Sequence, residues 1–82
     1  MNKRQVPYHP RWHHQALPTG TEWARLEMPD GSTIDIPTTD PTTCDYLVKR
    51  LQKTDLKGLE ATDLQNGEKL WFALVEEDPL EL

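Results

Sequence analysis

Cysteine is nearly absent from this chain, because Cys44 is the only one among 82 residues. A single thiol excludes an intramolecular disulfide, a CxxC redox pair and an all-cysteine zinc site. A free thiol is typical of proteins in reducing compartments. We therefore expect a cytoplasmic protein.

Long apolar runs are also lacking. No stretch approaches the length of about 20 residues that crosses a bilayer, and no apolar segment follows the basic residues Lys3 and Arg4 as it would in a signal peptide. We expect neither a membrane partner nor a cleaved leader.

Basic residues are scarce beyond the first third of the chain. The net charge is −5 overall, but residues 1–25 hold four basic residues against one acidic residue. The remaining residues are strongly acidic. Binding to phosphate backbones depends on Lys and Arg, so nucleic acid is not the expected partner of such a body.

Motifs for catalysis are missing as well. Apart from the pair Gly31-Ser32, nothing resembles a phosphate loop, a nucleophile elbow or a pair of catalytic carboxylates. A domain this small commits most of its apolar residues to the core, so we expect no drug-sized cavity and no small-molecule substrate. We predict a non-enzymatic protein without a cofactor.

The order of residue types divides the chain into three parts. Residues 1–20 contain three prolines and three histidines and predict an extended basic arm, because prolines oppose both helices and central strands. Residues 21–76 predict a single α+β domain. Residues 77–82 form an acidic tail.

Alternating apolar residues predict the opening hairpin of the domain. Residues 23–28 and 32–36 alternate in hydrophobicity. The intervening Pro29-Asp30-Gly31 suits a type I turn closed by a left-handed glycine.

A helix is predicted next, over residues 41–53, with Asp40 as its N-cap. Cys44, Leu47, Val48 and Leu51 recur at the spacing of one helix face. This face places Cys44 in the core, where cysteine behaves as a small apolar residue rather than a nucleophile.

Two further strands are predicted over residues 59–64 and 69–75, joined at Asn66-Gly67, a common two-residue turn. The last strand is apolar on both faces, so it is central or covered on its second side. The predicted fold is a small mixed β-sheet packed on one α-helix in the order β-β-α-β-β.

This pattern resembles the ubiquitin-like β-grasp family over residues 22–76. The hairpin of residues 22–37, the helix of residues 41–53 and the closing segment of residues 64–74 carry the resemblance. The chain ends in Leu80-Glu81-Leu82, whereas members that are conjugated or carry sulfur end in Gly-Gly. The resemblance therefore implies the family's other use, as a protein-binding module or accessory subunit.

The second face of the last strand is the predicted protein-binding surface. It would hold Trp71, Ala73 and Val75, and it would gain Trp23 and Arg25 if the first hairpin strand lay beside the last strand. Tryptophan and arginine are enriched at binding hot spots. The alternative is that the N-terminal arm covers this face.

The acidic tail extends the predicted surface through Glu76, Glu77 and Asp78. One interpretation is a solvated surface that aids solubility. The other is a docking surface for a partner with a basic surface, as in small acidic phage-encoded inhibitors of nucleic-acid-processing complexes, which are similar in size and charge.

Two further interpretations concern the arm. Its basic and aromatic residues are interleaved as in single-strand binders, so a nucleic-acid-associated protein is the alternative function; the candidate residues are Lys3, Arg4, Arg11 and Trp12. Against this, Tyr8, Trp12 and Leu17 can instead fold back over the sheet. His9, His13 and His14 are a weak metal candidate, and we predict no metal.

Overall fold

The computed structural model describes residues 3–77 and contains one mixed five-stranded sheet and one helix. The elements are β1 (Arg4–Tyr8), β2 (Trp23–Glu27), β3 (Thr33–Pro37), α1 (Thr43–Gln52), β4 (Gly58–Asp63) and β5 (Lys69–Leu74). The α+β class, the mixed sheet and the single helix are thus as predicted. The chain order is β-β-β-α-β-β, so one strand more than predicted precedes the hairpin.

The strands lie in the spatial order β1-β5-β4-β2-β3. Only β1 runs parallel to its neighbour, and the β5–β4, β4–β2 and β2–β3 pairs are antiparallel. The last strand is central, as its two apolar faces predicted, but its neighbours are β1 and β4 rather than β2.

Strand β1 lies within the segment predicted as an extended arm. Tyr8 O accepts a hydrogen bond from Val75 N at 3.0 Å, and Tyr8 is level with Leu74 on β5. Backbone groups of Tyr8 therefore face β5, and those of its neighbour Pro7 face the open edge. An N–H group at this position would point away from the sheet, so the proline, which lacks one, fits an edge strand.

The first hairpin has the predicted turn. Gly31 N donates to Met28 O at 3.0 Å, and Met28 N donates to Ser32 O at 2.8 Å. Gly31 has a φ of +91°, the left-handed conformation that closes a three-residue hairpin loop. This prediction is confirmed.

The helix begins at Thr43, two residues later than predicted, with Thr42 in the N-cap position. Asp40 still organises this end, because its Oδ1 accepts hydrogen bonds from Thr42 N at 2.8 Å and Thr42 Oγ1 at 2.7 Å. Cys44, Leu47 and Leu51 are buried. The predicted apolar face is confirmed, and it packs on the sheet.

The second hairpin corrects the predicted two-residue turn. Asp63 N donates to Glu68 O at 2.8 Å, so the loop spans the four residues 64–67. Gly67 has a φ of +76°, but Asn66 is not among the residues with positive φ, which a type I′ turn would require at both positions. The sequence therefore indicated a turn in the right place but of the wrong type.

The segment between β1 and β2 packs on the helix side of the sheet. Trp12 and Leu17 are buried in the same core cluster as Tyr8, Leu47 and Phe72. Cys44 Sγ lies 2.9 Å from His9 O, which accepts its hydrogen bond. Residues 9–17 are thus part of the core and lie on the side of the sheet opposite Trp71, whereas the side chain of Lys3 lies on the same face as Trp71.

Buried polar side chains fasten the end of this segment. Thr19 Oγ1 donates to Thr21 O at 3.0 Å, and Thr21 Oγ1 donates to Asp63 Oδ1 at 2.7 Å. Thr38 belongs to the same network, through Thr19 Oγ1 at 3.1 Å. Satisfied buried polar groups of this kind fix one arrangement of neighbouring segments.

Candidate interaction surface

The outer face of the sheet is the surface that no described element covers. Most residues whose side chains point inward along β2, β4 and β5 are buried, whereas most of their alternating neighbours are exposed or half-exposed. Both α1 and residues 9–21 pack on the inner side. A β-sheet of this size with one bare face is open to contact with a partner.

Ion pairs cross the middle of this face. Arg25 binds Asp35 through two contacts, Nε to Oδ1 at 2.8 Å and Nη2 to Oδ2 at 3.2 Å. Lys69 lies 3.5 Å from Glu27, and Lys3 pairs with Glu60. The face is therefore electrically balanced at its centre. The hydrogen bond from Arg25 holds the pKa of Asp35 below its ordinary value.

Trp23 lies at one end of the outer face, and 46% of it is exposed. Its register partner on β3 is Pro37, and its carbonyl accepts a hydrogen bond from Leu64 N at 3.1 Å. Leu64 is 40% exposed. Trp23, Pro37 and Leu64 are called the Trp23 cluster below. Pro37 and Leu64 were not among the predicted site residues, because nothing in the local sequence shows that they adjoin a tryptophan.

Trp71 lies elsewhere on the same face and is half-buried. It is level with Glu60 on β4, and Glu60 is level with Glu27 on β2. Trp23 is four residues from Glu27 along β2. Strand β4 separates the two tryptophans, so they do not form the single patch that adjacent first and last strands would have produced.

The other predicted protein-binding residues spread toward the far end of β5. Ala73 is level with Pro7 and Gly58, whereas Val75 packs against the core. Glu76 pairs with Lys57 at 3.2 Å, and Glu77 is exposed. Asp78 lies outside the described residues.

Side chains of the predicted nucleic-acid surface are engaged within the domain. Trp12 is only 6% exposed, and Tyr8 is buried beside it in the core. Lys3 pairs with Glu60, and Arg4 lies 2.9 Å from Glu68. Arg11 is exposed. Buried rings cannot stack on bases, and paired cations have less charge to offer phosphates.

The histidines of the arm point to different partners. His9 Nδ1 accepts a hydrogen bond from Arg11 N at 3.0 Å, and its Nε2 lies 3.3 Å from Glu76 O. His13 binds Asp45 on the helix. Within residues 3–77, no group of three or more His, Cys, Asp or Glu side chains is placed to hold a metal ion.

The thiol of Cys44 is buried and uncharged. Burial raises its pKa above the ordinary value, and the protonated thiol donates a hydrogen bond to the His9 carbonyl. A thiol that stays protonated is a poor nucleophile.

Two of the surface cavities adjoin Tyr8 and Trp71. One of about 310 Å³ lies between the end of α1 and the ends of β1 and β5, and Tyr8 and Leu51 line it. The Tyr8 hydroxyl is buried without a hydrogen-bond partner in the described part of the chain, and burial raises its pKa to about 12. The second cavity, of about 260 Å³, opens beside Trp71 and Gly58 on the outer face.

The single helix of residues 3–77 is too short and too polar to cross a membrane. Comparison with known proteins adds no relative: no protein-family model matches the chain, and no curated protein or solved structure matches it at a significant level.

Proposed function

We propose that this protein is a non-enzymatic protein-binding module that acts as an accessory subunit or inhibitor through the outer face of its sheet. The observation that carries the proposal is the Trp23 cluster, an exposed tryptophan beside an exposed leucine on a face that no described element covers. The β-grasp resemblance of residues 22–76 agrees with such a role but rests on sequence pattern alone.

Trp23 has an energetic reason to be buried by a partner. A tryptophan side chain has a large apolar area. Burying it in a partner's pocket removes this area from water, which contributes favourable hydrophobic free energy to binding. The polar network of Arg25 and Asp35 adjoins it on the same strands. The Trp23 cluster would then form the apolar part of the interface, and these charged residues would border it, as polar residues border the apolar core of protein interfaces.

The open edges of the sheet are poorer candidates than its face. Pro7 interrupts the edge of β1, and Pro37 ends β3 at the other edge. A proline on an edge removes a donor that an added strand would need. This favours contact through side chains on the face over extension of the sheet by a partner strand.

Charge supports a partner with a basic surface. The chain has a net charge of −5, and Glu76 and Glu77 are exposed at the end of β5. An inhibitor of a nucleic-acid-processing complex is one protein of this kind, and the free buried thiol suits a cytoplasmic setting. The alternative, direct nucleic-acid binding by the arm, would have to work without the buried Trp12.

The test is comparative capture from a cell lysate with three immobilised proteins: the wild type, Trp23→Ser and Lys53→Ser. Lys53 is exposed at the end of α1 and serves as the control. A protein retained by the wild type and by Lys53→Ser but lost with Trp23→Ser is then purified and titrated. We expect Trp23→Ser to weaken this binding by about 2 kcal/mol or more, the scale of a hot-spot residue.

Equal capture by all three proteins contradicts the proposed surface. Retention on heparin or DNA that falls steeply with salt supports the nucleic-acid alternative instead.

A further inference from the structure

We propose that Trp71 and Glu60 form an acceptor site for an arginine or lysine side chain of the protein partner, and that Lys3 of this chain occupies it in the free protein. This inference rests on the proposed function, since it names the partner chemistry that the outer face recognises. Three features of the structure carry it: a cation already in place, a cavity beside it and an exposed, weak internal contact.

The cation is the ammonium group of Lys3. From the position just before β1 it reaches across β5 to pair with Glu60 on β4. On the way, Lys3 Nζ lies 5.8 Å from the centre of the Trp71 ring. A cation within about 6 Å of an indole face is attracted by the ring, and a carboxylate beside it adds a charge-assisted hydrogen bond.

A second carboxylate, that of Glu27, lies near Glu60. Glu27 is level with Glu60 on the next strand, and its carboxylate lies 3.5 Å from Lys69 Nζ. An incoming guanidinium has donors on several sides and can bind a carboxylate in a planar fork, which a single ammonium cannot. An arginine therefore suits the Trp71–Glu60 site better than the resident lysine does.

The cavity of about 260 Å³ beside Trp71 provides space for the rest of the side chain. Trp71, Glu27 and Glu60 line one part of it, and Met28, Pro29 and Leu56 provide apolar surface. Arginine and lysine place their aliphatic stems along apolar surface and keep their charge near water or carboxylates. The cavity has both kinds of lining at adjacent positions.

The internal contact is suited to displacement. The side chains of Lys3 and Glu60 are 38% and 47% exposed. Ion pairs this exposed contribute little net stability, because water competes for both partners and two flexible side chains must be ordered. A partner side chain that contacts Glu60 and also fills the cavity can therefore replace Lys3.

The experiment is a titration of the ¹⁵N-labelled full chain with the peptide acetyl-Gly-Arg-Gly-amide, followed by the Trp71 indole N–H signal. Trp71→Phe assigns that signal. The matched probe is the same peptide with citrulline, which keeps the shape of arginine but removes its charge. The proteins are the wild type, Lys3→Ala and Arg4→Ala, where Arg4 is the adjacent basic residue and pairs with Glu68 instead.

We expect Lys3→Ala to bind the arginine peptide about three to ten times more tightly than the wild type, because the internal competitor is gone. Arg4→Ala should bind like the wild type, and the citrulline peptide should shift nothing. In the Lys3→Ala background, Glu60→Gln should weaken binding at least about fivefold while the rest of the spectrum stays native. Equal affinities of Lys3→Ala and Arg4→Ala, or no shift of the Trp71 signal, overturn the inference.

This titration uses no partner protein, so it fails or succeeds independently of the capture experiment with Trp23→Ser. A failed titration together with capture that depends on Trp23 removes only the cation site. A successful titration with capture that ignores Trp23 retains the cation site and removes the Trp23 cluster from the interface.

Discussion

The indole of Trp71 lies directly over Gly58 on the neighbouring strand. A Cβ atom at Gly58 would stand 2.7 Å from Cζ2 of Trp71 and 2.5 Å from the carbonyl oxygen of Phe72. Both distances are shorter than carbon and oxygen atoms tolerate. The ring therefore fills the place of the missing side chain, and an aromatic residue that covers a glycine on the next strand is a known way to stabilise a sheet.

Gly58→Ala should therefore destabilise the domain by about 1–3 kcal/mol, the usual cost of overpacking a tight site. Urea unfolding measures the change, with Gln5→Ala on the same face as a control that should be nearly neutral. The double variant Gly58→Ala/Trp71→Ala should not recover the loss, because the Phe72 carbonyl remains in the way. A wild-type midpoint for Gly58→Ala would contradict this close approach.

Cys44 should resist thiol reagents in the folded state. Its Sγ is buried and donates to the His9 carbonyl at 2.9 Å, and burial raises its pKa, so little reactive thiolate is present. We expect labelling by a disulfide reagent to be slow in buffer and fast in denaturing urea. Rapid stoichiometric labelling without denaturant would show that the segment of residues 9–17 does not pack on α1.

Local sequence pattern was sufficient for the elements that form between near neighbours. The alternation on both sides of Gly31 predicted the first hairpin, and the spacing of Cys44, Leu47 and Leu51 predicted the buried face of the helix. Each of these features depends on residues a few positions apart. Local preference and tertiary packing agree there, which is why the pattern is informative.

Strand β1 was not predictable by the same means. Its partner β5 is more than sixty residues away, and Pro7 opposes a strand anywhere except at an edge. No local signal shows that residues 4–8 lie at an edge of the sheet. Once they do, Tyr8, Trp12 and Leu17 complete the core instead of forming a free arm.

For the candidate site, too, local pattern predicted part of the arrangement and the rest depended on the topology of the sheet. Alternation along β5 correctly separated Trp71 from the inward Leu70 and Phe72. Which strand lies beside β5 is a question of topology, and β4 rather than β2 is the neighbour. The approach of Lys3 to Trp71 depends on that topology as well, so it could not be read from either segment alone.

Asp63 should make stability depend on acid pH. It is buried, and hydrogen bonds from Thr21 Oγ1 and then from Gln65 N lower its pKa below the ordinary value of 3.8. A carboxylate with a lowered folded-state pKa stabilises the fold above the unfolded-state pKa. That contribution is lost as pH falls through the folded-state value. The wild type should therefore exceed Asp63→Asn in stability by a constant amount above about pH 5, and the difference should shrink below about pH 4.

Urea unfolding at several pH values measures this difference, with the exposed Glu77→Gln as the control for general charge effects. A difference between wild type and Asp63→Asn that does not change between pH 7 and pH 3 would show that Asp63 is not the group responsible.

Substitution by alanine should have different effects on stability at Trp12 and at Trp23. Trp12 is buried in the cluster with Tyr8 and Leu17, whereas Trp23 lies on the bare outer face. Trp12→Ala should cost about 3–5 kcal/mol, because it leaves a large cavity where the segment before β2 packs. Trp23→Ala should cost less than about 1 kcal/mol, because the substitution removes a side chain that is half in water already.

Thermal and urea unfolding of both variants provides the comparison, and deletion of residues 1–18 extends it. Because that deletion removes β1, Trp12 and Leu17 together, the remaining chain should fail to fold rather than merely uncover Trp71. If Trp12→Ala is as stable as Trp23→Ala and the shortened chain melts cooperatively, residues 1–18 are a dispensable arm. Tyr8, Trp12 and Leu17 would then not belong to the core.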